Sequence, residues 1–321
     1  MNSLVAITAP FFALVLCGWL AGRLRTLPEA AIPGLNAFVL YFALPCMLFR
    51  FGAGTPVLQL LDPTILAVWL LGAALLAAAT VALTLGPGVG LKDAAFGALV
   101  AVFPNTGFMG VPLLVALLGP QAAGPTICVL AADLVVTTTA CLALAEVQDQ
   151  GRHGAWVAAR RVLRGVAKNP MPWAIALGAL FSAMDWQLWG PADAVVKMLA
   201  DAASPVALFT IGAVLWRAGQ HAHARTPLAR YAPVAAAKLL AHPLLVLGLG
   251  MAAQALALPL SDFALMVIVL VAALPSASNV AMLAERWGAD TGRVARIIMS
   301  STAAAFVSFT AIAAVYGIQP R

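Results

Sequence analysis

The chain has 321 residues, of which 63% are hydrophobic and only 9% charged, with a mean hydropathy of +0.98 and a formal net charge of +6. A soluble domain carries charge on about a quarter of its residues, so this composition excludes that class and indicates a protein that crosses the membrane several times. The basic excess lies in short polar connections, where it sets topology rather than attracting nucleic acid, and no glycine-lysine nucleotide loop is present for ATP hydrolysis.

A helical span needs about 20 apolar residues, and ten such stretches follow one another along the chain. The first, 3–22, is followed rather than preceded by its charges, Arg23 and Arg25, and reads as a retained helix instead of a cleaved leader. The second, 32–51, opens with Asn36 and Tyr41 and contains Leu44-Pro45. After 63–85 comes 94–117, interrupted by Phe103-Pro104-Asn105-Thr106-Gly107-Phe108-Met109-Gly110-Val111-Pro112. The fifth, 122–147, carries Asp133 at its middle. A polar connection over 148–169 precedes 171–188 and then 194–216, which contains Ser204-Pro205. The eighth, 230–256, holds Lys238 and His242, one helical turn apart and therefore on one face. The ninth, 262–287, is interrupted by Leu274-Pro275-Ser276-Ala277-Ser278-Asn279, and 292–317 is the tenth. Cys17, Cys46, Cys128 and Cys141 all fall within apolar stretches without metal-ligand spacing and read as small buried hydrophobes.

The connection over 148–169 divides five spans from five, giving a first repeat at 1–147 and a second at 170–321. An odd number of spans per half makes the second half enter from the opposite side, so the expected architecture is an all-α membrane protein built as 5+5 inverted repeats. Leu44-Pro45 answers Ser204-Pro205, and Pro104-Asn105 answers Pro275 and Asn279. With the N-terminus outside, fourteen of the eighteen lysines and arginines fall on the cytoplasmic side, including Arg152, Arg230, Arg293 and Arg296. Arg50, Lys197 and Arg321 lie opposite, Lys238 lies within a span, and the positive-inside rule then leaves both termini outside the cytoplasmic membrane.

Proline removes a backbone donor and disturbs the preceding turn, so each interruption frees polar groups that lipid cannot satisfy. Two interrupted helices meeting at mid-membrane present helix N-termini that favour an anion and carbonyl ends that favour a cation. Pro104, Asn105, Thr106 and Gly107 from one interruption, and Pro275, Ser276, Ser278 and Asn279 from the other, are the candidate substrate-binding residues. The alternative is that their hydroxyls and amides only satisfy the disturbed backbone. Asn36 and Tyr41 either face the same cavity or are polar residues at the membrane interface.

Ionisable groups at membrane depth are expensive and need partners. Asp133 and Lys238 are the expected ion pair, with His242 beside the lysine as a second candidate for proton coupling, since imidazole titrates close to physiological pH. A purely structural ion pair is the competing interpretation. His221 and His223 form a His-x-His without a third ligand and read as solvated loop residues, so no metal or other cofactor is expected. Trp19, Trp69, Trp173, Trp186, Trp189, Trp216 and Trp287 fall near span ends as an aromatic belt would.

The run from Asn36 to Phe49, the segment Asn105-Thr106-Gly107-Phe108-Met109-Gly110-Val111-Pro112, and Pro275-Ser276-Ala277-Ser278-Asn279 followed by Ala284-Glu285-Arg286-Trp287-Gly288 resemble the auxin efflux carrier family. The likeness extends over essentially the whole chain, and the short central connection suits the bacterial branch described as malonate or malate permeases. The resemblance implies ten helices with two crossed broken helices, related to bile-acid symporters and sodium/proton antiporters, and a homodimer. The expected function is a secondary carrier of a small organic anion, such as a mono- or dicarboxylate, working by alternating access and coupled to protons or to membrane potential. A cation/proton antiporter of the related fold is the alternative, with Asp133 binding the ion. An enzyme or sensor is disfavoured, because no catalytic constellation lies within a span and no output domain is attached.

Overall fold

The computed structural model describes residues 2–147, 160, 164–165, 167–221 and 226–318. Most of the 148–169 connection and His223 lie outside them. Among the described residues the fold is helical throughout: α1 Asn2–Arg23, α2 Ala31–Ala53, α3 Pro63–Thr84, α4 Leu91–Val102, α5 Thr106–Leu118 and α6 Pro120–Val147. After the connection follow α7 Pro170–Ala183, α8 Gly190–His221, α9 Leu228–Ala255, α10 Asp262–Ala272, α11 Asn279–Trp287 and α12 Thr291–Val315. Seven of these are long and apolar enough to cross a membrane (α1, α2, α3, α6, α8, α9 and α12), while α4, α5, α7, α10 and α11 are shorter. The expected stretches coincide with helices to within a few residues, except that 94–117 and 262–287 are each divided in two.

Local chemistry sets the boundaries. Asp62 caps α3, its Oδ1 accepting from the Thr64 and Ile65 N–H groups at 2.9 and 3.0 Å, with Pro63 at the first helical position where no donor is required. Asn169 with Pro170 starts α7 in the same way, and Ser261 and Asp290 cap α10 and α12. The left-handed Gly288, at φ 64°, ends α11.

Four helices contain a π-turn: Val39–Ala43 in α2, Thr106–Gly110 in α5, Asp133–Thr137 in α6 and Ala237–Ala241 in α9. Three of them run directly into Leu44-Pro45, Val111-Pro112 and His242-Pro243. A proline cannot bond the carbonyl four residues back and its ring collides with it, so a widened turn immediately before the ring relieves both problems. In α6 no proline follows; there the Thr138 hydroxyl donates to the Asp133 carbonyl at 2.7 Å.

Glycines set how closely α1, α2, α7 and α8 approach. A Cβ on Gly18 of α1 would lie 1.8 Å from the Phe209 carbonyl oxygen of α8, and one on Gly212 of α8 would lie 1.9 Å from the Val15 oxygen of α1. The α2–α7 contact repeats the arrangement: Gly178 faces the Phe49 oxygen at 2.5 Å and Gly52 faces the Ile175 oxygen at 3.2 Å. Each residue of the second contact corresponds to one of the first at a constant separation of 160 positions. Arg50 at the end of α2 closes one edge of this layer by an ion pair at 2.5 Å with Asp193 at the start of α8. The remaining helices pack beside this layer, α3 against α4 and α9, α9 against α10 and α12.

Candidate functional site

Between α4 and α5, and between α10 and α11, the chain leaves helical geometry and the two extended segments pair as an antiparallel bridge. The Asn105 N–H donates to the Pro275 carbonyl at 2.8 Å, and the Ala277 N–H donates to the Phe103 carbonyl at 2.9 Å. Each interruption thus satisfies part of the other's backbone, which the membrane interior would otherwise leave unbonded. Around the bridge, the Ser276 hydroxyl donates to the Val100 carbonyl at the end of α4 (2.7 Å), and the Ser276 N–H donates to the Ser301 hydroxyl of α12 (3.2 Å). The Thr106 hydroxyl reaches the Pro104 carbonyl at 3.4 Å.

A narrow recess opens beside the bridge, with room for roughly one water molecule. Pro104, Asn105, Gly107 and Phe108 line it from the first interruption, Ala277 and Asn279 from the second, and Leu44 of α2, Met171 of α7 and Leu130 and Leu134 of α6 from the sides. Among the described residues, neither the Asn105 side chain nor the buried Asn279 Oδ1 has a hydrogen-bond partner. Among the described residues no lysine or arginine lines the recess. Its polar character comes from amide side chains and from the start of α5, where the Gly107 and Phe108 N–H groups have no acceptor among the described residues. An apolar wall with unpaired N–H groups at the start of α5 suits a small anion held by backbone donors, whereas the unpaired Asn279 Oδ1 is an acceptor that calls for a donor such as a protonated carboxyl or hydroxyl.

A second polar cluster is wholly buried. Asp133, Lys238 and His242 are each 0% exposed. Asp133 Oδ1 accepts from Trp69 Nε1 of α3 and from the Thr137 hydroxyl, both at 2.9 Å, whereas its Oδ2 has no partner among the described residues. Lys238 Nζ donates to the Ala272 carbonyl at the end of α10 (2.6 Å) and lies 3.0 Å from His242 Nδ1. With Lys238 charged, Nδ1 accepts and the imidazole proton sits on Nε2, which has no partner among the described residues. The His242 ring lies 5.1 Å from the Trp69 ring.

Asp133 and Lys238, expected as an ion pair, make no hydrogen bond or close ion contact with each other among the described residues. The carboxylate is taken by Trp69 and Thr137, the ammonium by a helix end and His242, and the two charges act on each other through the low-dielectric interior without contact. Of the candidate substrate residues, Pro104, Asn105, Gly107 and Asn279 line the recess. Thr106, Pro275 and Ser276 serve the crossing's own backbone, and Ser278 is buried beside it. Asn36 turns to Met282 of α11, with Nδ2 3.0 Å from the sulfur, and Tyr41 is 56% exposed on the outside of α2; neither reaches the recess.

Two residues are placed otherwise than the sequence suggests. Trp69 belongs to no aromatic belt: it is 0% exposed at the centre of the fold and holds Asp133. Arg293 is not a loop residue but a 2% exposed guanidinium in the first turn of α12, donating to the Asp93 and Arg230 carbonyls at 2.8 and 2.9 Å.

The sequence matches the family described as "Membrane transport protein" over residues 4–313. It is also 26% identical, over 324 residues covering 97% of this chain and 95% of the relative, to a protein of Rhizobium meliloti (strain 1021) named "Putative malonate transporter". The chain belongs to the membrane transport protein family, that of the auxin efflux carriers, and is a membrane transporter rather than an enzyme.

Proposed function

We propose that the protein is a secondary carrier of a small organic anion, a mono- or dicarboxylate such as malonate or malate, bound at the recess beside the Pro104–Ser276 bridge. The observation that carries this is the recess itself, whose mostly apolar lining includes Asn105, Asn279 and the start of α5, where the Gly107 and Phe108 N–H groups have no acceptor among the described residues. The name of the rhizobial relative supports the choice of substrate. In this reading α4 with α5, and α10 with α11, each form one broken span, so that ten spans make two halves of opposite orientation. The constant 160-residue separation between the α1–α8 and α2–α7 contacts supports that repeat.

Alternating access follows if the helices around the crossing move against the α1, α2, α7 and α8 layer, through which the protein forms a homodimer. Leu44 and Met171 reach the recess from that layer, so such a movement changes its width. Asp133, Lys238 and His242 couple this movement to protons or to membrane potential. The positive-inside distribution puts the protein in the cytoplasmic membrane with both termini outside.

Uptake of labelled malonate and malate into proteoliposomes tests the proposal. Flux that responds to an imposed pH gradient or potential is expected. Absence of carboxylate flux, together with robust sodium-driven proton movement, would replace this reading with the cation/proton antiporter.

A further inference from the structure

The 160-residue separation that relates the glycine contacts extends to the turns beyond them. Arg25, between α1 and α2, and Asp185, between α7 and α8, both take the left-handed conformation, at φ 57° and 52°. Their N–H groups donate to the Gly22 and Ser182 carbonyls at 3.0 and 3.5 Å. What surrounds the two turns differs. At the first, the Trp216 ring closes over Gly22, where a Cβ would lie 2.6 Å from it. The counterpart of Trp216 is Pro56, and at the second turn a cleft of about 370 Å³ stands open between the ends of α2 and α7 and the start of α8.

The wall of this cleft carries one charge of each sign, Arg50 and Asp193. They meet through a single atom of each, Nη1 and Oδ1, which leaves Nε, Nη2 and Oδ2 without a partner among the described residues. Both side chains are partly exposed, at 34% and 48%, so the pair contributes little to stability. Their counterparts at the first turn are Thr210 and Pro33, which shows that the repeat folds without them. The floor is aromatic: Phe49 meets Phe181 edge-to-face at 5.1 Å, and Phe181 meets Trp186 in the same way at 5.6 Å. Trp186 is 52% exposed just beyond the end of α7, at the level where tryptophan meets lipid headgroups.

A cleft whose two charges cancel is matched by a molecule whose two charges also cancel. The guanidinium fork fits a phosphate diester, the free carboxylate oxygen accepts from an ammonium, and the rings suit the apolar carbons next to them. We propose that this cleft binds a phosphoethanolamine zwitterion, with its phosphate on Arg50, its ammonium on Asp193 and the adjoining glycerol on the row of rings. A phospholipid of the surrounding leaflet and a soluble glycerophosphodiester both present this group. A headgroup held there pins the α1, α2, α7 and α8 layer at one height in the bilayer. The cleft shares no lining residue with the recess at the crossing, so its occupancy is independent of what the protein carries.

Melting midpoints of the purified protein in detergent, titrated with glycerophosphoethanolamine or with phosphatidylethanolamine, phosphatidylcholine or phosphatidylglycerol in mixed micelles, test this. Phosphatidylethanolamine is expected to raise the midpoint by a few degrees. Phosphatidylcholine, whose trimethylammonium has no N–H for Asp193, and phosphatidylglycerol, which offers no cation, should each bind about tenfold more weakly. Asp193→Asn should erase the preference for ethanolamine over choline, Asp193→Glu should restore it, and Arg50→Gln should weaken both lipids. A response to phosphatidylethanolamine without one to glycerophosphoethanolamine supports the site with the leaflet as its source; a response to the soluble form supports it with a free molecule as a second source. A wild type that ignores every ligand, or answers choline or glycerol headgroups as strongly as ethanolamine, overturns the proposal. So does a folded Asp193→Asn that keeps the wild-type preference.

Discussion

Replacing Gly18 by alanine places a Cβ 1.8 Å from the Phe209 carbonyl oxygen. Real Cβ atoms stay beyond about 3.0 Å from such neighbours, so α1 and α8 must separate by at least about 1.2 Å. The obstacle is backbone, which cannot rotate away as a side chain can, so the cost should sit at the upper end of the usual range for overpacking, about 3 kcal/mol. That is roughly a hundredfold in the folding equilibrium. Gly212→Ala, at 1.9 Å from the Val15 oxygen, should match it; Gly178→Ala at 2.5 Å should cost less, and Gly52→Ala at 3.2 Å least. Gly248 in α9 is the control, since a Cβ there meets nothing within 4 Å and alanine gains up to about 1 kcal/mol of helix propensity. Unfolding followed by circular dichroism against the mole fraction of SDS in mixed micelles ranks the five. If Gly18→Ala unfolds no earlier than Gly248→Ala, the close approach of α1 and α8 is not what holds that layer.

Asn105→Ala should abolish carboxylate binding by isothermal titration with little change in melting midpoint, because its side chain holds no other part of the fold; unchanged affinity would remove the crossing from the binding site. Trp69→Phe keeps the aromatic bulk but leaves Asp133 Oδ1 with Thr137 alone. A hydrogen bond to a charged group is worth about 1.5–3 kcal/mol, and the same SDS titration should show a loss of that size. A neutral outcome would mean that the indole only fills space. Ser276→Ala uncovers the Val100 carbonyl at about 1–3 kcal/mol, whereas Ser276→Thr, which keeps the hydroxyl, should retain most of the stability, with thermal melts as the measure.

Both interruptions were legible because proline and asparagine break an apolar run, and the break is a property of the local chain. The buried ionisable groups were legible too, since Asp133, Lys238 and His242 stand alone among aliphatic neighbours. Their partners were not. α3 is apolar on every side, so nothing in its sequence says that Trp69 points inward rather than toward lipid, and that rotation is fixed only by packing against α6 and α9. Charge complementarity pointed to Asp133 and Lys238 as a pair, but it ignores the donors and acceptors that helices themselves present. The end of α10 competes for the ammonium and a tryptophan N–H for the carboxylate. Gly18, Gly52, Gly178 and Gly212 were unremarkable among the 26 glycines until their contacts showed the common spacing.

The antiparallel bridge also bears on how the protein is made. The Asn105 amide and the Phe103 carbonyl find their partners at Pro275 and Ala277, some 172 positions later in the chain. At about 5–20 residues per second, a ribosome takes roughly ten to thirty seconds to deliver them. Gly18 and Gly52 likewise wait for α8 and α7. During that interval the nascent first half holds an unpaired strand and two bare glycine faces in the bilayer, so an insertase or a lateral exit site has to shield them until the second half arrives. Separately expressed halves should accordingly be degraded alone and rescued when produced together.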